Sequence, residues 1–158
     1  LEVKPSEIAA PFDTVSVCLS KGLGAPVGSV LAGSELLIDQ ARKWRKMLGG
    51  AMRQVGLIAA AGKHAVENHI DRLAEDHRNA ELLAKGLAKI EGLNVDAQNT
   101  NMVFVSSTQA TDDLEQRLLD RGVITRWSGR SSRMVLHLDI TEHDVDLAVS
   151  AIAEELAN

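Results

Sequence analysis

The sequence contains little cysteine, few aromatic residues and no excess of positive charge. Its 158 residues include one cysteine, Cys18, two tryptophans, two phenylalanines and no tyrosine. A single cysteine excludes a disulfide framework within the chain and favours a reducing compartment, so we expect a cytoplasmic protein. The net charge of −5 argues against a nucleic-acid partner, because nucleic-acid binding depends on basic surface.

Long hydrophobic runs and a targeting segment are also missing. The longest apolar stretch, Val55–Gly62, is too short to cross a membrane, so no membrane partner is expected. The N-terminal residues LEVKPSEIAA contain no basic region followed by an apolar core, which a signal peptide would require. The chain does not begin with methionine, and we therefore expect it to belong to a longer protein.

The first part of the chain has the pattern of two strands joined by a glycine-rich loop and followed by helices. The predicted strands are Val15–Ser20 and Gly28–Ala32, and the predicted helices run from the Ser34 cap to about Leu48, over Arg53–Asn68 and over Ile70–Ile90. Because two strands do not make a stable sheet, we expect them to join a larger sheet formed with upstream residues.

The pattern changes after Gly92, which ends the long helix. The predicted strands are Asn94–Ala97, Met102–Ser106, Val123–Trp127 and Met134–Leu138. The predicted helices are Thr111–Arg121 and one that runs from a cap of Thr141 and Asp144 to about Leu156. This order predicts a small α/β sandwich, with a domain boundary near Asn68.

One lysine lies in an unusual context. In the stretch CLSKGLGAPVGS, residues 18–29, Lys21 follows a predicted strand and precedes three glycines. Lysine amines form Schiff bases with carbonyls, and glycines leave room for a flat cofactor. Taken alone, however, the spacing favours a surface lysine on a β-turn.

Five blocks of the sequence occur in the order and at the spacing of a known family. They are SVCLSKGLGAPVGSVLAG, RKWRKMLGGAMRQVGLIAAAG, LAEDHRNAELLAKGL, NTNMVFV and RMVLHLDIT. Together they resemble bacterial low-specificity L-threonine aldolases, which belong to the aspartate-aminotransferase-like group of enzymes that use pyridoxal 5'-phosphate. The resemblance implies an α/β chain in which residues 1–68 are the C-terminal part of the cofactor-binding large domain and residues 69–158 are the small C-terminal domain.

The resemblance also implies roles for four cationic residues. The lysine that matches Lys21 carries the cofactor as a Schiff base. The positions that match Lys46 and Arg53 place positive charge at or near the cofactor phosphate, partly across a subunit interface. The arginine that matches Arg133 binds the substrate α-carboxylate. These residue types suit the chemistry, since phosphates need cations or helix N-termini and a carboxylate suits a guanidinium.

Other interpretations of these cations remain open when the residues are considered alone. Lys46 lies in the charge run RKWRK, which is typical of a solvated helix face. Arg53 is equally compatible with a helix cap and with a ligand site. Arg133 could be a surface charge beside a strand, and Arg126 and Arg130 are rival candidates that spacing does not separate.

The remaining polar candidates are assigned structural or minor roles. His137 alternates within a predicted apolar strand, which indicates a structural histidine. Cys18 is predicted to be a small buried hydrophobe, and Ser20 to hydrogen-bond near the phosphate. The histidines interpreted as surface residues, with no metal-ligand spacing, are His64, His69 and His77.

The activity implied by the resemblance is retro-aldol cleavage of a β-hydroxy-α-amino acid, with L-threonine or L-allo-threonine giving glycine and acetaldehyde. An acid for the pyridine nitrogen, a stacking group and a phosphate-binding turn would come from a missing N-terminal portion, so the chain alone is expected to be inactive. The resemblance further implies a homodimer or homotetramer. The alternatives are a β-eliminating lyase or racemase of the same fold group, and a non-catalytic α/β binding or dimerisation module.

Overall fold

The computed structural model describes residues 3–157 and divides them between Ile70 and Asp71 into two units with separate cores. Both units combine helices with antiparallel strands, so the predicted mixed α/β class is confirmed. Within residues 3–157 no helix has the length and apolar character needed to cross a membrane.

The first unit consists of a β-hairpin and three helices. The two strands pair antiparallel, with Cys18 opposite Ser29. The cap predicted at Ser34 is confirmed, because its Oγ accepts a hydrogen bond of 3.5 Å from the Leu37 amide. The elements are α1 (Pro5–Ala9), β1 (Thr14–Cys18), β2 (Ser29–Gly33), α2 (Glu35–Met47) and α3 (Gly56–Asn68).

The core of this unit is small, and much apolar surface around it stays exposed. Only Leu19, Ala25 and Ala65 form its buried cluster, with Leu23 packed against them. Every residue of β2 is exposed. We refer to the following exposed side chains as the apolar surface of the first unit: Val17, Val30, Leu31, Leu36, Trp44, Met47, Leu48, Met52 and Leu57. A surface of this extent is typical of a region that other polypeptide covers.

The second unit is a four-stranded antiparallel sheet in the order β3-β4-β6-β5, packed with three helices. The helix α4 contacts β3, β4 and α6, and α5 contacts α6. The elements are α4 (Leu73–Leu87), β3 (Leu93–Asn99), β4 (Met102–Ser107), α5 (Leu114–Asp120), β5 (Trp127–Ser128), β6 (Ser131–Val135) and α6 (Glu142–Ala157).

Residues of alternating burial give this sheet one covered face and one open face. Val103 and Val105 of β4 are fully buried, whereas Phe104 between them is half-buried. The covered face meets the apolar stripe of α4, which Ala80, Leu83 and Leu87 form at helical spacing. Side chains on the opposite face of β6 are therefore free to meet other groups.

The predicted cap of α6 is confirmed as a reciprocal pair. The Thr141 amide donates to Asp144 Oδ2 at 2.8 Å, and the Asp144 amide donates to Thr141 Oγ1 at 3.3 Å. The Thr141 hydroxyl and, as a smaller effect, the Thr141 amide donate hydrogen bonds to the Asp144 carboxylate. These hydrogen bonds hold the pKa of Asp144 below its ordinary value.

Two predicted strands were wrong in position. Residues 123–126 form no strand, and β5 begins only at Trp127, because the Val123 amide closes the turn after α5 and Glu115 accepts from the Trp127 amide. The strand expected over Met134–Leu138 is β6, Ser131–Val135. Its polar first half pairs with β4, and Leu136 instead exchanges hydrogen bonds with Asn101 in the turn before β4.

Helix ends also differ from the prediction. The helices expected over Arg53–Asn68, Ile70–Ile90 and Thr111–Arg121 begin about three residues later, at Gly56, Leu73 and Leu114. The residues before each helix form turns instead. The short helix α1 was not predicted, although a proline at its first position is a typical helix start.

Candidate active site

Lys21 lies in a closed loop between the two strands of the hairpin, residues 19–28, which we call the Lys21 loop. The Leu19 amide donates to the Gly28 carbonyl at 3.0 Å, and the Ala25 amide donates to the Leu19 carbonyl at 3.0 Å. A tighter turn lies within it, in which the Gly24 amide donates to the Lys21 carbonyl at 2.8 Å. Gly24 and Gly28 have φ angles of +70° and +103°, which explains why glycine occupies both positions.

The Lys21 loop packs on helix α3 through its apolar residues. Leu19 and Ala25 are buried against Ala65, and the Lys21 side chain is exposed. Gly62 of α3 is buried beneath the loop, and a Cβ at this position would lie 2.9 Å from Leu19 Cδ1. The packing therefore fixes the ends of the loop and leaves the amine accessible.

His69 makes a polar contact with the same loop. Its Nδ1 lies 2.7 Å from the Leu23 carbonyl oxygen, and because a carbonyl only accepts, Nδ1 carries the proton and donates. His69 is half-buried, so its interpretation as a surface residue was wrong. No local sequence pattern indicates this contact, since 46 residues separate the two partners.

His64 lies on α3, five residues before His69, and is exposed, as predicted. Its ring meets the ring of His69 edge-to-face, with the centroids 5.3 Å apart. The Asn68 side-chain amide donates to the His64 carbonyl at 2.8 Å and lies 3.2 Å from His64 Nδ1. His77, on α4, is likewise exposed.

Cys18 is half-buried at the end of β1, where a buried side chain was expected. Its Sγ lies 3.7 Å from Ser20 Oγ. The hydrogen bonds from the hydroxyl and the backbone of Ser20, with smaller contributions from Ser29 and the charge of Lys21, lower the pKa of the Cys18 thiol. Ser20 is therefore engaged with the thiol in this structure, and its contact with a phosphate remains a prediction.

Lys46 and Arg53 also lie in the first unit, on either side of the Gly49-Gly50 break. Lys46 is in the last turn of α2, and Arg53 is in the turn that precedes α3. Both are exposed, and neither side chain forms an ion pair or hydrogen bond with any residue in the range 3–157. Other exposed cations, such as Lys43 and Arg45, share this property, so exposure alone does not single out this pair.

Arg133 occupies the middle of β6, whereas the predicted strand Met134–Leu138 placed it just before a strand. It pairs with Phe104 of β4 and projects from the open face of the sheet. Arg126 and Arg130 lie before β5 and in the β5–β6 turn, and both are exposed as Arg133 is. Burial therefore does not separate the three arginines, although only Arg133 stands within a strand.

His137 was expected within a strand, and this position was wrong. It lies two residues beyond β6 and is half exposed, with 49% of its side chain accessible. Its Nδ1 accepts from the Asp139 amide at 3.4 Å and lies 3.5 Å from the Asp139 carboxylate. Across residues 3–157 no three His, Cys, Asp or Glu side chains are grouped so as to hold a metal ion.

Residues 1–110 match the family model described as beta-eliminating lyase. The chain belongs to the beta-eliminating lyase family. Among its relatives, low-specificity L-threonine aldolase 1 of Arabidopsis thaliana is 39% identical over 99% of this chain and 46% of its own length. The low specificity L-threonine aldolase of Escherichia coli K12 is 43% identical over 88% of this chain and 41% of its own length. This member of the family thus spans about half the length of the curated relatives it matches.

Solved structures support the same fold. A provisionally assigned L-allo-threonine aldolase from Listeria monocytogenes superimposes with a TM-score of 0.79 at 22% identity, covering 98% of this chain and 47% of that one. The aminotransferase TlmJ of Streptoalloteichus hindustanus superimposes with a TM-score of 0.70 at 17% identity, covering 92% and 52%. At these identities the comparison establishes the shared fold, and again about half of each neighbour is matched.

Proposed function

We propose that this chain is the C-terminal part of an enzyme that uses pyridoxal phosphate to cleave L-threonine or L-allo-threonine to glycine and acetaldehyde. The observation that carries the proposal is the Lys21 loop, which presents an exposed amine on a closed, packed backbone within a chain 39–43% identical to proteins named as threonine aldolases. Such an aldehyde lyase consumes a β-hydroxy-α-amino acid and supplies glycine.

The residues of the first unit fit this cofactor. Lys21 offers a primary amine, which would hold the cofactor through its aldehyde group. Lys46 and Arg53 offer positive charge that no carboxylate among the described residues neutralises, which suits a phosphate. When bound, the cofactor supplies an electron sink for the pair released as the Cα–Cβ bond breaks.

Arg133 is assigned to the substrate in this proposal. A guanidinium presents two parallel N–H donors to a carboxylate and so fixes both its position and its orientation. The place of Arg133 on the open face of the β-sheet, opposite the half-buried Phe104, leaves that guanidinium accessible to a substrate α-carboxylate.

The partners follow from the size of the relatives and from the apolar surface of the first unit. That surface includes Leu48 and Leu57, which are 82% and 83% exposed. We propose that the N-terminal portion of the same protein and a second subunit cover it, in a cytoplasmic homodimer or homotetramer. By the same reasoning, residues 1–158 alone are expected to be inactive.

The proposal is tested by assaying the full-length protein with pyridoxal phosphate and two substrates. We expect glycine and acetaldehyde in equal amounts from L-threonine and no pyruvate from L-serine. Pyruvate from serine without glycine from threonine would favour the second candidate, a β-elimination, which the description of the matching family supports. A folded protein that forms neither product would favour a non-catalytic binding module.

A further inference from the structure

We propose that His69 is a positioning residue, which holds the Lys21 loop in place by donating a hydrogen bond from Nδ1 to the Leu23 carbonyl. The inference rests on the proposed function, because it concerns how Lys21 is presented to the cofactor. Nothing in the sequence pattern or the resemblance assigned a role to this histidine.

The geometry of the contact is favourable. The distance between Nδ1 and the Leu23 oxygen is 2.7 Å, and the imidazole is partly shielded from water. His69 is the residue that ends helix α3, where its own amide donates to the Ala65 carbonyl at 2.9 Å. The neighbouring His64 ring lies edge-on to it. The imidazole is therefore held at the end of α3, the helix that also packs against the apolar residues of the Lys21 loop.

The hydrogen bond from His69 acts at Leu23, which is less deeply buried than the rest of the apolar contact between the Lys21 loop and α3. Leu19 and Ala25 anchor the two sides of the loop by burial, whereas Leu23 lies between them and is only half-buried. Within residues 3–157, the contact of His69 is the one side-chain hydrogen bond that joins the loop to α3. The Gly24 amide donates to the Lys21 carbonyl and so closes a turn that contains Leu23. The hydrogen bond from His69 to the Leu23 carbonyl therefore restrains this turn.

A fixed turn matters for an attached cofactor. A long lysine side chain is flexible, so the position of its backbone sets where its amine can reach. Supporting residues that restrict a reactive group lower the entropy lost when the ligand binds. We therefore expect loss of the His69 donor to weaken cofactor attachment at Lys21 without changing the amine itself.

The test compares replacements of His69 that keep or remove a donor at the δ position, in the full-length protein. His69→Asn places an amide nitrogen where Nδ1 lies, His69→Gln carries the same amide one bond further, and His69→Phe keeps a ring without a donor. His77→Phe is the matched control, since His77 is exposed on α4 and makes no side-chain hydrogen bond to any described residue.

Two readouts are made on each variant. The first is amide hydrogen exchange at Gly24 and Ala25 without cofactor, which reports on the loop alone. The second is the pyridoxal phosphate concentration that gives half-maximal borohydride-trapped labelling of Lys21. We expect His69→Phe and His69→Gln to raise the exchange rate and the half-maximal concentration by about tenfold, the effect of one lost hydrogen bond. His69→Asn and His77→Phe should stay close to the wild type.

Each outcome decides the proposal. Unchanged exchange and labelling in His69→Phe and His69→Gln would overturn it. An Asn variant as impaired as the Gln variant would overturn the donor role, and this comparison remains informative if His69→Phe does not fold. If wild-type Lys21 is not labelled at all, the proposed function fails and the positioning role fails with it. Faster exchange in His69→Phe would then identify a structural bond only.

Discussion

At the scale of the residue, Lys21 is placed by its neighbours, since its own side chain makes no hydrogen bond or ion pair with any described residue. Glycines at positive φ let the chain turn, and Leu19 and Ala25 fix the loop on α3. The place of Lys21 in a glycine-rich loop could be predicted from the sequence, because it depends on neighbouring residues alone. The contact of His69 could not be predicted, because it joins residues far apart along the chain.

The Cys18 thiol provides a residue-scale prediction about charge. Because the hydrogen bond from Ser20 is the main cause of its lowered pKa, Ser20→Ala should move that pKa back up. A lowered pKa means that the reactive thiolate forms at lower pH. In the cofactor-free full-length protein, alkylation of Cys18 by iodoacetamide should therefore rise at lower pH in the wild type than in Ser20→Ala.

The measurement is the alkylation rate of the peptide containing Cys18 as a function of pH, followed by mass spectrometry. Ser16→Ala is the matched control. Ser16 is an exposed serine of β1, the strand that contains Cys18, and its side chain makes no hydrogen bond to a described residue. The same midpoint pH in the wild type and in Ser20→Ala would contradict the assignment of the hydrogen bond.

At the scale of the element, the close packing of α4 against α6 depends on a glycine. A Cβ at Gly86 would lie 2.6 Å and 3.0 Å from the two γ-methyl carbons of Val149. A β-branched side chain cannot easily rotate away, so the helices themselves would have to move. We expect Gly86→Ala to lower the free energy of unfolding by about 1–2 kcal/mol, although alanine favours a helix by about 1 kcal/mol.

Urea unfolding of the single and double variants tests this prediction. In the Val149→Ala background the obstructing methyl groups are gone, so Gly86→Ala should become neutral or stabilising there. Gly56→Ala is the control, because Gly56 of α3 faces open space. A destabilisation by Gly86→Ala that persists in the Val149→Ala background would show that Val149 is not its cause.

The elements themselves were predictable to the extent that their hydrophobic pattern is regular. The hairpin, α2, α4 and β4 follow from periodicity and caps, and α6 follows from Thr141 and Asp144. The predicted position of β6 was wrong because its first residues are polar and pair with β4 through the backbone. These residues are Ser131, Ser132 and Arg133. Backbone pairing with a distant strand leaves no mark on the local pattern.

Across the whole chain, the four predicted cations are divided unequally between the two units. Lys21, Lys46 and Arg53 belong to the first unit, and Arg133 belongs to the second. The sequence named these residues through a family resemblance, and local patterns alone could not rank Arg133 above Arg126 or Arg130. The chain spans about half the length of its relatives, so the proposed roles of these residues are tested in the full-length protein.

We propose Lys21 as the residue to which pyridoxal phosphate attaches, and borohydride trapping can identify that residue. The full-length protein is incubated with the cofactor, reduced and digested, and the modified peptide is identified by mass. Lys46→Arg, which keeps a cation at a second predicted site, is the control and should label like the wild type at saturating cofactor. We predict a pyridoxyl group on Lys21 and none in Lys21→Arg. A label on another lysine, or none on the folded protein, would contradict the assignment of Lys21.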